Sequence, residues 1–168
     1  YNNSDPTNSG QFQIATLSTD VRINSAITGT GTYIPMTFYT GGSERMRIDT
    51  SGNVLVTNAA GLGYGTGAGG TVTQATSRTT GVTLNKPTGA ITLFTAAGSA
   101  TAATFTVTNS IVAATDTIVL SVKSGTNVYL TAVTAVAAGS FNITFWTTGG
   151  TASDAPVINF AVIKGATA

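Results

Sequence analysis

Phe141-Asn142-Ile143-Thr144-Phe145-Trp146 places large apolar side chains at every second position. Successive side chains of a strand point to opposite faces. The stretch therefore reads as a strand with Phe141, Ile143 and Phe145 on a core and Asn142, Thr144 and Trp146 directed away from it. The same period of two recurs through the C-terminal part of the chain. Phe105 and Val107 alternate with Thr104, Thr106 and Thr108, and Ile118, Leu120 and Val122 alternate with Thr117, Val119 and Ser121. Val128 and Leu130 flank Tyr129, and Ile158, Phe160 and Val162 alternate with Asn159 and Ala161. With weaker candidates at 71–74, 81–84 and 89–92, about eight strands are expected, at the spacing of a β-sandwich. Lys86-Pro87-Thr88-Gly89, Ser124-Gly125-Thr126-Asn127 and Ala138-Gly139-Ser140 supply turn chemistry between them. Segment 96–103 is alanine-rich, but Gly98 and its Thr and Ser residues predict a loop or short turn rather than a helix. The expected fold is all-β, with residues 71–168 forming an eight-stranded, jelly-roll-like sandwich head.

Composition narrows the function classes. Among 168 residues only 13 are charged (7 Lys and Arg, 6 Asp and Glu), for a net charge of +1. Phosphate binding needs clustered Lys and Arg, so nucleic acid is not expected as a partner. Mean hydropathy is +0.26, yet no apolar run approaches the roughly 18 residues of a membrane span. The nearest, 131–138, is interrupted by threonines and ended by Gly139, so no membrane insertion is expected. The absence of Cys removes disulfides and thiolate metal sites, and the absence of His removes the commonest general base and transition-metal ligand. Neither a cofactor nor catalysis is expected. Threonine is about one residue in five; being β-branched, it suits a strand, and its hydroxyl tolerates water. A neutral, strand-rich monomer with open edges tends to aggregate, and homo-oligomerisation is the simplest way to hide those edges. The chain begins at Tyr1 without a basic-then-apolar opening, and it reads as a processed product or part of a longer one.

Residues 1–57 differ from the rest. Short candidate strands fall at 11–16, 20–24, 33–39, 45–49 and 53–57, joined by Asn, Ser, Gly and Thr. The large apolar residues are Phe12, Ile14, Leu17, Val21, Ile23, Ile27, Ile34, Met36, Phe38, Met46 and Ile48. That set could hardly fill the core of a freestanding domain of this size, but three copies wrapped about one axis could bury it. An intertwined, homotrimeric β stem or base is expected. Within it, Gly41-Gly42-Ser43-Glu44-Arg45-Met46-Arg47-Ile48-Asp49-Thr50-Ser51-Gly52-Asn53-Val54-Leu55-Val56 reads as a hairpin. Met46 and Ile48 alternate with Arg45, Arg47 and Asp49, and Gly52 is free to take the positive φ that a bulged turn needs.

Residues 58–70 form a glycine-dense joint, flexible or close-packed. Gly65, Gly67 and Gly70 match a G-x-G-x-x-G pattern formally. A dinucleotide site also requires a following helix and an acid about twenty residues on. Here a strand-like Thr71-Val72-Thr73 follows, and Gly89-Ala90-Ile91 holds no acid.

The remaining candidate sites are few. Asp5, Asp20, Glu44, Asp49, Asp116 and Asp154 are scattered, and most adjoin turns. A glycosidase needs two carboxyls facing one sugar, so these acids read as solvated or turn-capping. Calcium at a trimer axis would need several oxygens per ion, and no loop points to it. Arg45 and Arg47 are expected to pair with Glu44 or Asp49 on a neighbouring strand or chain rather than to bind phosphate. The alternation places Tyr129 and Trp146 opposite the core residues, where they could stack on a host-surface glycan or fill a subunit interface. The interface is preferred, because Tyr and Trp are enriched there. Asn2-Asn3-Ser4 and Asn142-Ile143-Thr144 match the glycosylation pattern by chance.

The Glu44-Arg45-Met46-Arg47-Ile48-Asp49 hairpin resembles a recurrent feature of bacteriophage tail-fibre and related virion-surface proteins. Three further stretches are similar to a C-terminal module of phage tail-fibre, spike and capsid-decoration proteins. They are Gly63 to Gln74, then Thr80-Gly81-Val82-Thr83-Leu84-Asn85-Lys86, and the ending Val157 to Ala166. The resemblance implies a trimeric β head displayed on a virion, with no catalytic residues to carry over. Fibre proteins with this hairpin often continue into a self-cleaving chaperone domain, and nothing of that kind follows here. A capsid decoration (cement) protein bound to the major capsid protein or other virion proteins is the expected role, since the chain is short. The receptor-binding end of a tail fibre or tail spike is the alternative. A bacterial adhesin or pilus subunit stands further off.

Overall fold

The computed structural model describes residues 7–16, 19–59 and 61–166. Asp5, Leu17 and the Asn2-Asn3-Ser4 pattern lie outside them. The described chain is all-β, with fifteen strands and no helix, so no helix is long and apolar enough to cross a membrane. It divides into two compact units, Tyr1–Gly63 and Tyr64–Ala168.

In the N-terminal unit, β1 (Ser9–Thr16) and β2 (Val21–Thr28) form an antiparallel hairpin with Phe12 opposite Ser25 and Ile14 opposite Ile23. Strands β3 (Met36–Thr40), β4 (Ser43–Ile48) and β5 (Val54–Val56) form a three-stranded meander. Gly41 and Gly42, at φ 59° and 75°, make the tight turn from β3 to β4. Two consecutive positive φ angles suit the right-handed twist of a two-residue hairpin. Phe38 pairs with Met46 but Tyr39 pairs with Glu44, so Arg45 is the extra residue of a β-bulge. No described residue before Gln74 is fully buried.

The C-terminal unit contains two four-stranded sheets. The first runs β12 (Tyr129–Ala137), β13 (Ser140–Thr147), β10 (Ala103–Thr108), β7 (Val82–Thr83). The second runs β11 (Thr117–Ser124), β15 (Val157–Ile163), β8 (Thr88–Thr92), β6 (Gly69–Thr73). A two-stranded pair, β9 (Ala96–Ala97) with β14 (Ser153–Asp154), completes the unit. Both sheets send side chains into one buried cluster. Phe105, Val107, Phe141, Ile143 and Phe145 come from the first, and Ile91, Ile118, Ile158, Phe160 and Val162 from the second. The rings of Phe141 and Phe160 meet at 5.3 Å between centroids. The pairs β10–β7 and β8–β6 are parallel, whereas a jelly roll pairs its strands antiparallel throughout.

The alternation in β10, β13 and β15 holds residue for residue. Phe105 lies opposite Ile143 and Val107 opposite Phe141, all buried. On the reverse face Thr104 bonds Thr144 across the strands at 2.7 Å, and Thr106 donates to Asn142 at 2.8 Å. In β11 the inward set weakens along the strand: Ile118 is buried, Leu120 half-buried and Val122 exposed, ending at a bulge before Ser124.

The joint at 58–70 is shorter than its composition suggested. Tyr64 already donates its hydroxyl to the Val162 carbonyl, and Gly69 and Gly70 open β6. Gly70 faces Gly89 in the parallel pair, with Leu84 packed over both. A Cβ on Gly89 would stand 2.5 Å from Leu84 Cδ2, and one on Gly70 would stand 2.8 Å from Leu84 Cδ1. These glycines admit a side chain between strands, and that close approach makes the segment part of the sheet. The turn expected at 86–89 likewise ends early, because Thr88 and Gly89 belong to β8. Within the expected loop 96–103, Ala96–Ala97 form β9 and Ala103 opens β10.

Candidate functional site

Register decides where the two candidate aromatics lie. Leu130 pairs with Trp146 and Tyr129 with Thr147. Because Phe145 and Thr147 point inward, Trp146 and Leu130 share the outer face, where Trp146 is half-buried and Leu130 exposed. Tyr129 is therefore buried in the core, contrary to the expected outward position, and Val128 and Leu130 are exposed instead. Further along β12, a bulge between Val133 and Ala135 restores the inward set, so that both Val133 and Val136 pack against the core.

Tyr129 is the centre of a buried polar cluster. Its hydroxyl donates to Asp154 Oδ1, and its ring lies 5.5 Å beneath the Arg78 guanidinium carbon. Arg78 Nη2 bonds Asp154 Oδ1 at 2.9 Å and the Ala96 and Asp154 carbonyls at 2.6 and 2.8 Å, while its Nε reaches the Phe94 carbonyl. The Thr126 amide donates to the other Asp154 oxygen at 2.6 Å. Burial pushes the Asp154 carboxyl up, but the Tyr129 hydroxyl, the Thr126 amide and Arg78 outweigh it and hold the group below its ordinary value. Burial, together with that same bond to Asp154, raises the Tyr129 phenol. Nearby, buried Gln74 donates to the Arg78 and Thr80 carbonyls and accepts from the Phe94 amide. The cluster fastens the loop after β6 to the β9–β14 pair. Its carboxylate oxygens and guanidinium are committed to protein partners, which fits a clamp rather than a general acid or base.

Asp116 forms a second tie. Its side chain is fully buried and accepts from the Ala113 amide at 2.8 Å, the Gly165 amide at 3.1 Å and Lys164 Nζ at 2.5 Å. The Ala113 amide and then Lys164 hold its carboxyl below the ordinary value. Asp116 is thus buried and Asp154 mostly covered, and both are bonded rather than solvated. Asp116 caps the 113–116 turn and Asp49 caps another, accepting from the Ser51 and Asn53 amides at 2.9 Å each. Nothing in local spacing links Arg78 to Asp154 across 76 positions, so this cluster was not legible in the sequence.

In the N-terminal hairpin, Arg47 makes a two-pronged pair with Glu44, at 2.6 and 2.7 Å, on its own strand rather than across to a neighbour. The bulge at Arg45 accounts for this: it puts residues three apart on one face, where regular alternation would separate them. The bond to Arg47 holds Glu44 below its ordinary value. Arg45 donates to the Thr40 hydroxyl at 3.0 Å. Gly52 has φ 88°, the left-handed geometry expected of the turn, with its amide donating to the Asp49 carbonyl.

Among the described residues, no group of three or more His, Cys, Asp or Glu side chains stands close enough to hold a metal ion. Comparison of the chain with models of protein families, with curated proteins and with solved structures returned no match.

Proposed function

We propose that this chain is a non-catalytic structural protein of the bacteriophage virion surface. In this proposal it is a homotrimer whose C-terminal unit is a β-sandwich head and whose N-terminal unit is an intertwined stem. One observation carries the proposal: no described residue of the N-terminal unit is buried, while the C-terminal unit buries fourteen apolar side chains of its own. A unit without a core is stable only when something else covers it. Of the six charged residues in the head, Arg78, Asp154, Asp116 and Lys164 are spent on internal pairs and Lys86 on the Gly67 carbonyl. That leaves a nearly neutral surface, suited to packing against other protein. Its role is decoration of the capsid, bound to the major capsid protein or neighbouring virion proteins.

The exposed Leu130 beside Trp146 favours the second reading, a receptor-binding fibre or spike end, because an aromatic flanked by Thr hydroxyls can stack on a neutral host glycan. Two measurements test the proposal. The mass of the purified chain at micromolar concentration is expected to correspond to three copies, and a stable soluble monomer overturns the architecture. Electron microscopy of particles labelled at the head is expected to mark the shell. Label on the tail selects the fibre role instead.

A further inference from the structure

We propose that the Arg78–Tyr129–Asp154 cluster is a register lock: it selects one of two registers open to β12 and so creates the outward pair of Leu130 and Trp146. The use of that pair as a contact surface rests on the proposed function; the lock itself does not. Strand β12 stands at the end of its sheet and is held on one side only, by β13. Val136, opposite Phe141, packs against the core. Regular alternation back from Val136 would direct Thr134, Ala132, Leu130 and Val128 inward and Tyr129 out to water. The chain departs from it. Thr134 is the extra residue of the bulge between Val133 and Ala135, and its hydroxyl bonds that of Thr144 at 2.9 Å on the outer face. Beyond the bulge the inward set is Val133, Thr131 and Tyr129.

A slip of one residue turns every side chain of a strand to the other face, so the bulged and the regular registers exchange one set for the other. The bulged register leaves Val128 and Leu130 exposed, where the regular one would bury both. The cluster offsets that loss. In the bulged register the Tyr129 ring meets Phe145 at 6.4 Å between centroids and lies 5.5 Å from the Arg78 guanidinium carbon, while its hydroxyl donates to Asp154 Oδ1. The Arg78 and Asp154 side chains are only 10% and 9% exposed. With Tyr129 outside, this covered pair would lose a hydrogen bond and the ring beside it. A buried polar group that finds its partners in one register alone specifies that register. The consequence lies on the outer face. Leu130 stands opposite Trp146, whereas the regular register would put Thr131 there and turn Leu130 toward Thr147.

The chain has no cysteine, so pairs of introduced thiols read the register directly. Ala132 faces Thr144 in the bulged register, and Val133 would face it in the regular one. In the oxidised full chain, Ala132→Cys with Thr144→Cys is expected to close a disulfide. Val133→Cys with Thr144→Cys is expected to stay open, because its side chains point to opposite faces. Adding Asp154→Ala is expected to reverse that preference, changing the rate of closure of each pair by about tenfold. Trp146, the chain's single tryptophan, then exchanges Leu130 for Thr131, and its fluorescence is expected to move to longer wavelength. Deletion of Thr134 removes the choice, since regular alternation from Val136 then already directs Tyr129 inward. In that chain Asp154→Ala is expected to lower the melting temperature without moving the Trp146 emission, which a merely stabilising cluster would not explain. Should Asp154→Ala fold poorly, Asp154→Asn, which keeps the shape without the charge, is read by the same two pairs. A folded Asp154 variant that still closes only the Ala132 pair overturns the lock and leaves the proposed function standing. One copy by mass, with the register reversing as expected, overturns the trimer and leaves the lock.

Discussion

Phe12 and Phe141 have the same side chain in the same kind of strand, yet Phe12 is 62% exposed and Phe141 1%. Both belong to alternating runs, and both share a face with other large apolar residues. The difference lies in what each face meets. Phe141 meets Phe160 from the opposite sheet, while the apolar face of β1–β2 looks onto an open groove. Alternation tells which residues share a face; whether the same chain covers that face depends on how many strands are available to close over it. The C-terminal unit has two four-stranded sheets to do so, and the N-terminal unit has a hairpin and a three-stranded meander.

Truncating each ring in turn shows whether the two faces differ in what covers them. Phe141→Ala removes a fully packed ring and is expected to destabilise the C-terminal unit by about 3–5 kcal/mol in denaturant unfolding, at any protein concentration. Phe12→Ala is expected to cost on the order of 2–4 kcal/mol per buried copy, with an unfolding midpoint that depends on concentration. A Phe12→Ala protein indistinguishable from the parent at every concentration would mean that the face is simply solvated. The two units would then differ in stability rather than in what covers them.

Trp146 lies on the outer face of the C-terminal unit. Paired with exposed Leu130 and half-buried itself, it keeps part of its surface uncovered by its own chain. If copies meet there, Trp146→Ala lowers trimer stability by about 2–4 kcal/mol, and adsorption to host cells changes only as the trimer is lost. An intact, fully stable trimer with impaired adsorption assigns Trp146 to a receptor instead.

What the sequence made legible follows the range of each interaction. The strands of β10, β13 and β15 could be read because a period of two is a local property. The Gly52 turn could be read because Asp49, Ser51 and Asn53 lie within four residues of one another. Tyr129 was misplaced because its face is set by pairing with Thr147, eighteen positions away, and because a Tyr hydroxyl can go inward only when a distant Asp154 receives it. The Arg47–Glu44 pair was expected across strands because a bulge leaves no mark in an alternating pattern. The Gly70–Gly89 approach under Leu84 joins three segments, and each glycine alone looks like an ordinary turn residue.

Those glycines offer a finer contrast between the two regions. Gly52 has open space where a Cβ would go, and its φ of 88° is the constraint; Gly89 has a crowded site, with Leu84 Cδ2 at 2.5 Å and the Gly70 carbonyl at 2.9 Å. Gly52→Val is expected to cost roughly 1–3 kcal/mol through backbone strain, while Gly52→Asn, which tolerates the left-handed region, stays close to the parent. Gly89→Ala is expected to cost about 1–3 kcal/mol through overpacking. If Gly52→Val and Gly52→Asn melt together at the parent's temperature, the turn does not hold Gly52 in that geometry.

The smallest effect expected is in acid, and it too separates the two regions. Asp116 and Asp154 in the C-terminal unit are held below their ordinary values, Asp116 first by the Ala113 amide and then by Lys164. A carboxyl whose folded pKa lies below its unfolded one contributes stability that is fully present above the unfolded value, near 4. That contribution is lost as pH falls through the folded one. Glu44 is lowered in the same direction by Arg47, which is 38% exposed, so solvent weakens what that pair contributes. The C-terminal unit should therefore lose stability as pH falls below about 4, and Asp116→Asn should melt lower than the parent at pH 7 while converging on it in acid. Glu44→Gln should change the melting temperature little at either pH. Melting each variant at pH 7 and pH 3 settles the matter: an equal gap between Asp116→Asn and the parent at both pH values would show that packing, and not the charge on Asp116, ties the end of β15 to the 111–116 loop.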